Sequence, residues 1–322
     1  MAQSLAPGLP RVVFVLGKGG VGRSTVAAAL GLELARRGER TCVIGWTMSD
    51  PLAPWFGQPP AGLMPREVSP RLHVANYRLD DTLELYFVHH LHLPRFYRYL
   101  IRGEHVRRLI EAAPGLAEVF FVGHLWWLTT LAGEEAGLHF DRVVVDAPAT
   151  GHGASLFDVP AMLSSLRATG LLGVEAERVT RMMGDPAWTG AVVVALPDEL
   201  SVDETRELVP RLRAKTGRAP LAVLVNRSIA NPPAAPFTPA HCGALASRLS
   251  APTMAALQTV TEELRSRAVF ESTLRAELGP LANLGVRPLR EQLTMPGPSA
   301  PRDIVERVAV EVGLQLGLRS AP

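Results

Sequence analysis

Apolar positions along the chain fall into short continuous runs and longer spaced ones. Arg11 to Leu16 (RVVFVL) is apolar at all but its first position and runs into glycine, the pattern of a strand covered on both faces. Ser24 to Arg37 is rich in alanine and leucine, lacks internal proline and stops before Gly38, which predicts a helix and its terminator. Thr41 to Trp46 reads as the next strand, closing a β-α-β unit of about 30 residues whose strands must pair in parallel. Val143 to Asp146, Ala191 to Leu196 and Leu221 to Asn226 repeat the continuous valine and leucine pattern. The class predicted is α/β, a doubly wound and mostly parallel sheet. Helical spacing from about Leu79 to Leu138 carries most of the aromatics, including Tyr86, Phe87, Phe96, Tyr97, Tyr99, Trp126 and Trp127, and predicts an inserted helical subdomain. The expected division is therefore a core of residues 11–78 and 138–318, with a helical stretch at 160–183, and an insertion at 79–137. Residues 1–10 and 319–322 are expected to be flexible ends. From Asn231 the run NPPAAPFTPAHC reads as an irregular loop.

Composition narrows the function classes. The 322 residues are 47% apolar and 20% charged, enough for a large core, and the net charge of +2 supplies no field for nucleic acid or a membrane surface. Cys42 and Cys242 are too few for a disulfide framework or a single-chain four-cysteine metal site, and fit a reducing cytoplasm. The N-terminus shows no secretion signal. The most apolar stretch, Val119 to Leu131, is interrupted by His124 and is shorter than the roughly 20 residues that span a bilayer, so no integral membrane segment is expected.

The chemistry concentrates in GKGGVGRST, Gly17 to Thr25, between the first strand and the first helix. There, backbone N–H groups of Gly17, Lys18, Gly19, Gly20, Val21 and Gly22 can converge on phosphate oxygens at a helix N-terminus. In the pattern G-x-x-x-x-G-K-[ST], Gly17 and Gly22 hold the glycine places, and Ser24 supplies the hydroxyl that ligates magnesium. Arg23 stands where lysine belongs. Its fork keeps the charge but is larger than an ammonium, so binding can survive while catalysis weakens. ATP and Mg are the cofactors predicted.

Lys18, directly after the first glycine, gives G-K-G-G-V-G, which resembles the deviant Walker A class of P-loop proteins. Within that class the chain resembles the arsenical pump-driving and tail-anchored protein targeting ATPase family. FDRVVVDAPATGH, Phe140 to His152, is similar to that family's Walker B strand and second switch, and AAPGLAE at Ala112, LPDELSVDET at Leu196 and LVNR at Leu224 extend the likeness through most of the chain. The resemblance implies a homodimer closing around two nucleotides, with Lys18 reaching the partner's phosphates and Asp146 holding magnesium through water. It also implies that Asn226 meets the adenine edge, with residues 197–204 as a wall near the base; turn chemistry alone leaves Asn226 as a cap at a strand end.

Two departures bear on turnover. The gapless register from Arg23 through Gly38, kept again at Phe56 and Gly57, places Thr47 where the family's first switch carries an aspartate. A threonine hydroxyl can hold water but cannot act as a carboxylate base. Asp50, in an Asp-Pro pair like the family's own, is the candidate replacement. His241-Cys242 stands in the region of the family's zinc-sharing C-x-x-C pair, and the metalloid-binding cysteines of arsenical pumps are missing. The apolar run Leu116 to Leu131 is either buried or, by resemblance, part of a client groove that would use Phe120, Phe121, Trp126 and Trp127. The expectation is a MgATP-dependent switch with slow hydrolysis, carrying Lys18, Arg23, Thr47 and Asp146 as catalytic residues and coupled to a protein or membrane-associated client. The alternatives are a non-hydrolysing nucleotide-gated module and a spatial-positioning ATPase; the D-A-P-A-T-G-H run and the tail Asp303 to Leu318, which lacks a basic amphipathic face, argue against the latter.

Overall fold

The computed structural model describes residues 9–85, 88, 95, 115–130, 139–148, 152–165, 170–229, 249–292 and 300–319. Strand β1 (Val12–Gly17) runs through the glycine loop into helix α1 (Arg23–Arg36), which returns to β2 (Thr41–Gly45). A short helix α2 (Leu52–Trp55), strands β3 (Arg66–Ser69) and β4 (Leu72–Asn76), and helices α3 (Leu79–Glu84) and α4 (Leu116–Leu128) follow. Strand β5 (Arg142–Asp146) leads to α5 (His152–Ser155), α6 (Val159–Ser165) and α7 (Gly170–Gly184). Then come β6 (Thr189–Ala195), α8 (Glu199–Thr216), β7 (Ala222–Ser228), α9 (Ala251–Leu278), β8 (Val286–Arg290) and α10 (Ala300–Gln315).

The eight strands form one sheet in the order β3-β4-β2-β5-β1-β6-β7-β8, parallel throughout except for the β3–β4 pair at one edge. This is a doubly wound, mostly parallel α/β sheet covered on both faces, with the glycine loop at the carboxyl end of β1. Alternation along β1 divides the core: Val13 and Val15 face α1 and α10, while Val12, Phe14 and Leu16 face the layer that contains α4, α7 and α8. Helix α1 approaches closely because Gly31 has no side chain; a Cβ there would stand 2.3 Å from Val43 Cγ2. Its buried Glu33 is paired by Arg319, with Nε and Nη2 at 2.7 and 2.5 Å from the carboxylate. The tail helix α10 docks on the same face through Val305, Val308, Ala309 and Val312.

Several readings change in detail. Strands β3, β4 and β8 are not among the predicted strands, and the described residues of the stretch at 160–183 belong to α6 and α7. Phe121, Val122, Leu125 and Leu128 of α4 are fully buried against the sheet beside Trp46 and Tyr77, with Trp126 and Trp127 packed partly buried on the same core. Phe121 is therefore a core residue and cannot line an open groove; Phe120 is half-buried. Tyr86, Phe87, Phe96, Tyr97, Tyr99, His241 and Cys242 lie outside the described residues. Among the described residues, no helix is long and apolar enough to cross a membrane.

Inside α4, His124 is 5% exposed, stacks on Trp127, and has no hydrogen-bond partner for Nε2 among the described residues. Burial lowers its pKa to about 4. The native state therefore holds a neutral imidazole that the unfolded chain protonates near pH 6.5. This contribution to stability is complete above pH 6.5 and is lost as pH falls toward 4. Between pH 7 and 5 it should remove about 2 kcal/mol, and urea unfolding of His124→Phe should show a correspondingly shallower loss over that interval.

Candidate functional site: a phosphate loop at the carboxyl edge of the sheet

The site grows from the turn between β1 and α1. Gly17 has φ 148°, and a Cβ there would stand 2.3 Å from the Val194 carbonyl oxygen, so only glycine can leave the strand at this point. Gly22, at φ 92°, is the N-cap of α1 and accepts the first helical bond from Val26 N at 3.0 Å. The first turn of α1 has no acidic residue and begins with Arg23. The positive end of the helix dipole and a guanidinium thus share one place, an arrangement that favours an anion.

Strand order supplies the second half. Because β5 lies between β1 and β2, Asp146 pairs in register with Val15 on one side and Gly45 on the other, at the edge from which the loop departs. Ser24 Oγ donates to Asp146 Oδ2 at 2.6 Å. Asp146 is 4% exposed, and its Oδ1 is buried without a hydrogen-bond partner among the described residues. Burial raises the Asp146 pKa, opposed by the Ser24 bond and the charge of Arg23. Arg23 Nη1 donates to the Ala147 carbonyl at 2.8 Å. Burial lowers the Arg23 pKa and Asp146 raises it, but a guanidinium stays protonated at neutral pH in any protein setting. Ser24 and Asp146 bring together hard oxygen donors, one of them a buried orphan, which fits a magnesium ion.

A family model described as anion-transporting ATPase matches residues 10–170, half of the chain and all of this constellation. The chain belongs to the anion-transporting ATPase family. It is 30% identical over 227 residues to a putative ATPase of Mycobacterium bovis and to ATPase BagA of Mycobacterium tuberculosis, covering 68% of this chain and 65% of each relative. The match thus spans just under two thirds of those proteins' own length. An ATPase ASNA1 homolog of Dictyostelium discoideum is 24% identical over 233 residues, covering 62% of this chain and 67% of the relative. A putative arsenical pump-driving ATPase 1 of Aquifex aeolicus is 25% identical over 201 residues, covering 59% of this chain and 47% of the relative.

The structure brings together Gly17 to Thr25, Asp146 and Asn226 of the family-type residues. Asn226 Nδ2 donates to the Val21 carbonyl at 2.9 Å, and its Oδ1 accepts from Arg227 N at 3.0 Å, so its amide braces the phosphate loop. Asn226 lies inside β7, not at its end. Beside it opens a cavity of about 240 Å³ lined by Leu196, Pro197, Asp198, Arg227, Arg267 and Phe270. Lys18 Nζ lies 3.6 Å from Glu204 Oε1 on α8. Ala149, Thr150 and Gly151 are outside the described residues, and His152 is described only as the first residue of α5.

Thr47 follows β2 and is held by a residue that sequence reasoning misses. Asn76, at the end of β4, accepts from Thr47 N at 3.2 Å and donates through Nδ2 to Thr47 O at 3.0 Å, while the Thr47 hydroxyl lies 2.8 Å from Ser49 O and 3.1 Å from Asn76 Oδ1. The only signal for Asn76 is a polar residue closing the run LHVAN. Asp50 does not supply the missing carboxylate. It is 4% exposed and accepts from the backbone N–H groups of Leu52 at 2.8 Å, Ala53 at 3.1 Å and Ala61 at 2.8 Å. The bonds to Leu52 and Ala53 hold the start of α2, the bond to Ala61 ties the following loop back to it, and together they leave the carboxylate no role as a base.

The loop and Asn226 are interlocked tightly enough to test. A Cβ on Gly22 would meet Asn226 Nδ2 at 2.3 Å, in a backbone conformation that L residues rarely adopt. Gly22→Ala should cost about 2–4 kcal/mol in urea unfolding. In the Gly22→Ala, Asn226→Ala double variant the clash is gone while the strained φ remains, so the double variant should lose less than the sum of the two single-variant losses.

Proposed function

We propose that the chain is a MgATP-binding homodimeric switch with slow ATP hydrolysis, working in the cytoplasm and coupling its nucleotide state to a protein or hydrophobic client. The observation that carries the reading is the Ser24–Asp146 contact at 2.6 Å, with Asp146 Oδ1 unpartnered among the described residues, set beneath a loop of positive-φ glycines. When bound, magnesium would neutralise charge on the phosphate oxygens. The loop N–H groups and the end of α1 would hold the phosphates, Arg23 would add a cation, and Lys18 would serve the partner's site. Thr47, fixed by Asn76, would position water without taking its proton. In hydrolysis water adds to the γ-phosphorus as the bond to the β–γ bridging oxygen breaks, giving ADP, phosphate and a proton. Positioning and electrostatics supply most of that catalysis, so a site without a free switch carboxylate is slow and not inert.

The adenine would lie near Asn226, against the cavity walled by Leu196 and Pro197. Residues 79–137 would form the helical insertion that responds to the nucleotide, with α4 resting on the sheet. Names among the relatives, arsenical pump-driving ATPase and ASNA1 homolog, support a client or membrane-associated partner and leave its identity open. A second reading is a nucleotide-gated module that never hydrolyses; Asp50 committed to three amides favours it.

Phosphate release from MgATP separates the two. The wild type should turn over slowly, Lys18→Ala should abolish turnover, and Asp146→Asn should lower it by about a hundredfold while far-UV dichroism is retained. Binding of MgATP with release equal to that of Lys18→Ala would establish the non-hydrolysing module. Failure to bind MgATP would remove both readings.

A further inference from the structure

Consecutive residues of α1 hold consecutive residues at the end of β5: Ser24 grips the Asp146 side chain at 2.6 Å, and Arg23 grips the Ala147 carbonyl at 2.8 Å. Only the first contact belongs to the usual chemistry of a phosphate loop. The second follows from the substitution at residue 23, because a planar guanidinium offers five N–H donors along a fork, whereas an ammonium is a single compact point.

What Arg23 holds is the start of the segment leading from the magnesium carboxylate to α5. Ala147 is 2% exposed, and its N–H donates to Val15 O at 3.3 Å. The chain then folds back so closely that a Cβ on Gly153 would stand 2.8 Å from the Pro148 carbonyl and 3.3 Å from Leu16. Fixing the Ala147 carbonyl therefore fixes Ala147 and Pro148, against which Gly153 of α5 packs. Segments that bear on a nucleotide's terminal phosphate act by exchanging one arrangement for another. A charge-assisted bond across the base of such a segment resists that exchange.

We propose that Arg23 is a positioning residue that brakes turnover: by holding the Ala147 carbonyl it keeps Ala147 and Pro148, the residues directly after Asp146, docked on the phosphate loop, and it does so without giving up its charge toward phosphate. This rests on the reading of the site as an ATP site. Lysine at this position keeps the cation but, with one nitrogen, cannot serve the carbonyl and a phosphate along a fork. The brake should then be lost while binding survives.

The test uses the full chain with Arg23→Lys and Arg23→Ala, each checked for an unchanged thermal midpoint. In nucleotide-free protein, amide exchange at Ala147 and at Gly153 to Ser155 should quicken about tenfold in both variants, while α10 stays unchanged, as loss of one charge-assisted bond requires. In steady-state ATP hydrolysis, Arg23→Lys should raise kcat at least about threefold with KM within about threefold, whereas Arg23→Ala should raise KM through loss of the cation. Unchanged exchange in both variants overturns the brace. Faster exchange with kcat for Arg23→Lys at or below the wild-type value, zero in both included, overturns the brake. Wild-type protein that fails to bind MgATP overturns the ATP reading and the brake with it, and exchange still decides whether Arg23 braces Ala147.

Discussion

The hydrogen bond from Ser24 to Asp146 ties the start of α1 to the end of β5, and the rest of the site is arranged around it. It requires β5 to lie directly beside β1, which happens because the chain leaves β2, builds the opposite edge with β3 and β4, passes α3 and α4, and returns to the gap between β2 and β1. All three central strands are parallel, so their carboxyl ends share one edge. A ligand crevice at that edge is the general consequence of reversing strand order in an open sheet. Asn226 extends the arrangement to β7, two strands away from β1, by bonding back to Val21.

Burial explains which elements were legible. β1, β2, β5, β6 and β7 are covered on both faces, and their continuous valine and leucine runs could be read directly. β3 is exposed at Arg66 and Glu67, and β8 reads VRPLR with Arg287 and Arg290 exposed, so neither carries an apolar signature. β4 has His73 in its run and alternates less clearly. The phosphate loop was legible because its glycines keep the G-x-x-x-x-G spacing between a strand and a helix. The neighbours that demand glycine there, Val194 O for Gly17 and Asn226 for Gly22, come from β6 and β7 and were not legible.

Side-chain commitments were not legible in this way. Asp50 resembles a switch carboxylate by its neighbour Pro51, yet three backbone amides claim it, and which amides converge depends on how residues 50–61 turn. Asn76 shows the reverse. Nothing in LHVAN marks it, but pairing of β4 with β2 sets it opposite Gly45, one residue short of the Thr47 turn, where both its amide and its carbonyl find the Thr47 backbone. The apolar run of α4 left burial and partner binding open, and packing against Tyr77 and Trp46 resolves Phe121 as core.

These commitments bear jointly on what the site can do. A phosphate loop that turns over quickly needs a cation free to follow the developing charge, a positioned water and a segment after the magnesium carboxylate that can rearrange. Here Thr47 is tied by Asn76, Asp50 by the start of α2, and Arg23 by Ala147. Each tie lowers the freedom of a group that hydrolysis would need to move, and none blocks the loop amides or the end of α1 that would hold phosphate. On the proposed reading, binding would depend on the preformed N–H groups and turnover on the tied ones. Ties that slow catalysis would then leave recognition intact, and in such a switch the lifetime of the bound state would be the quantity that a client reads.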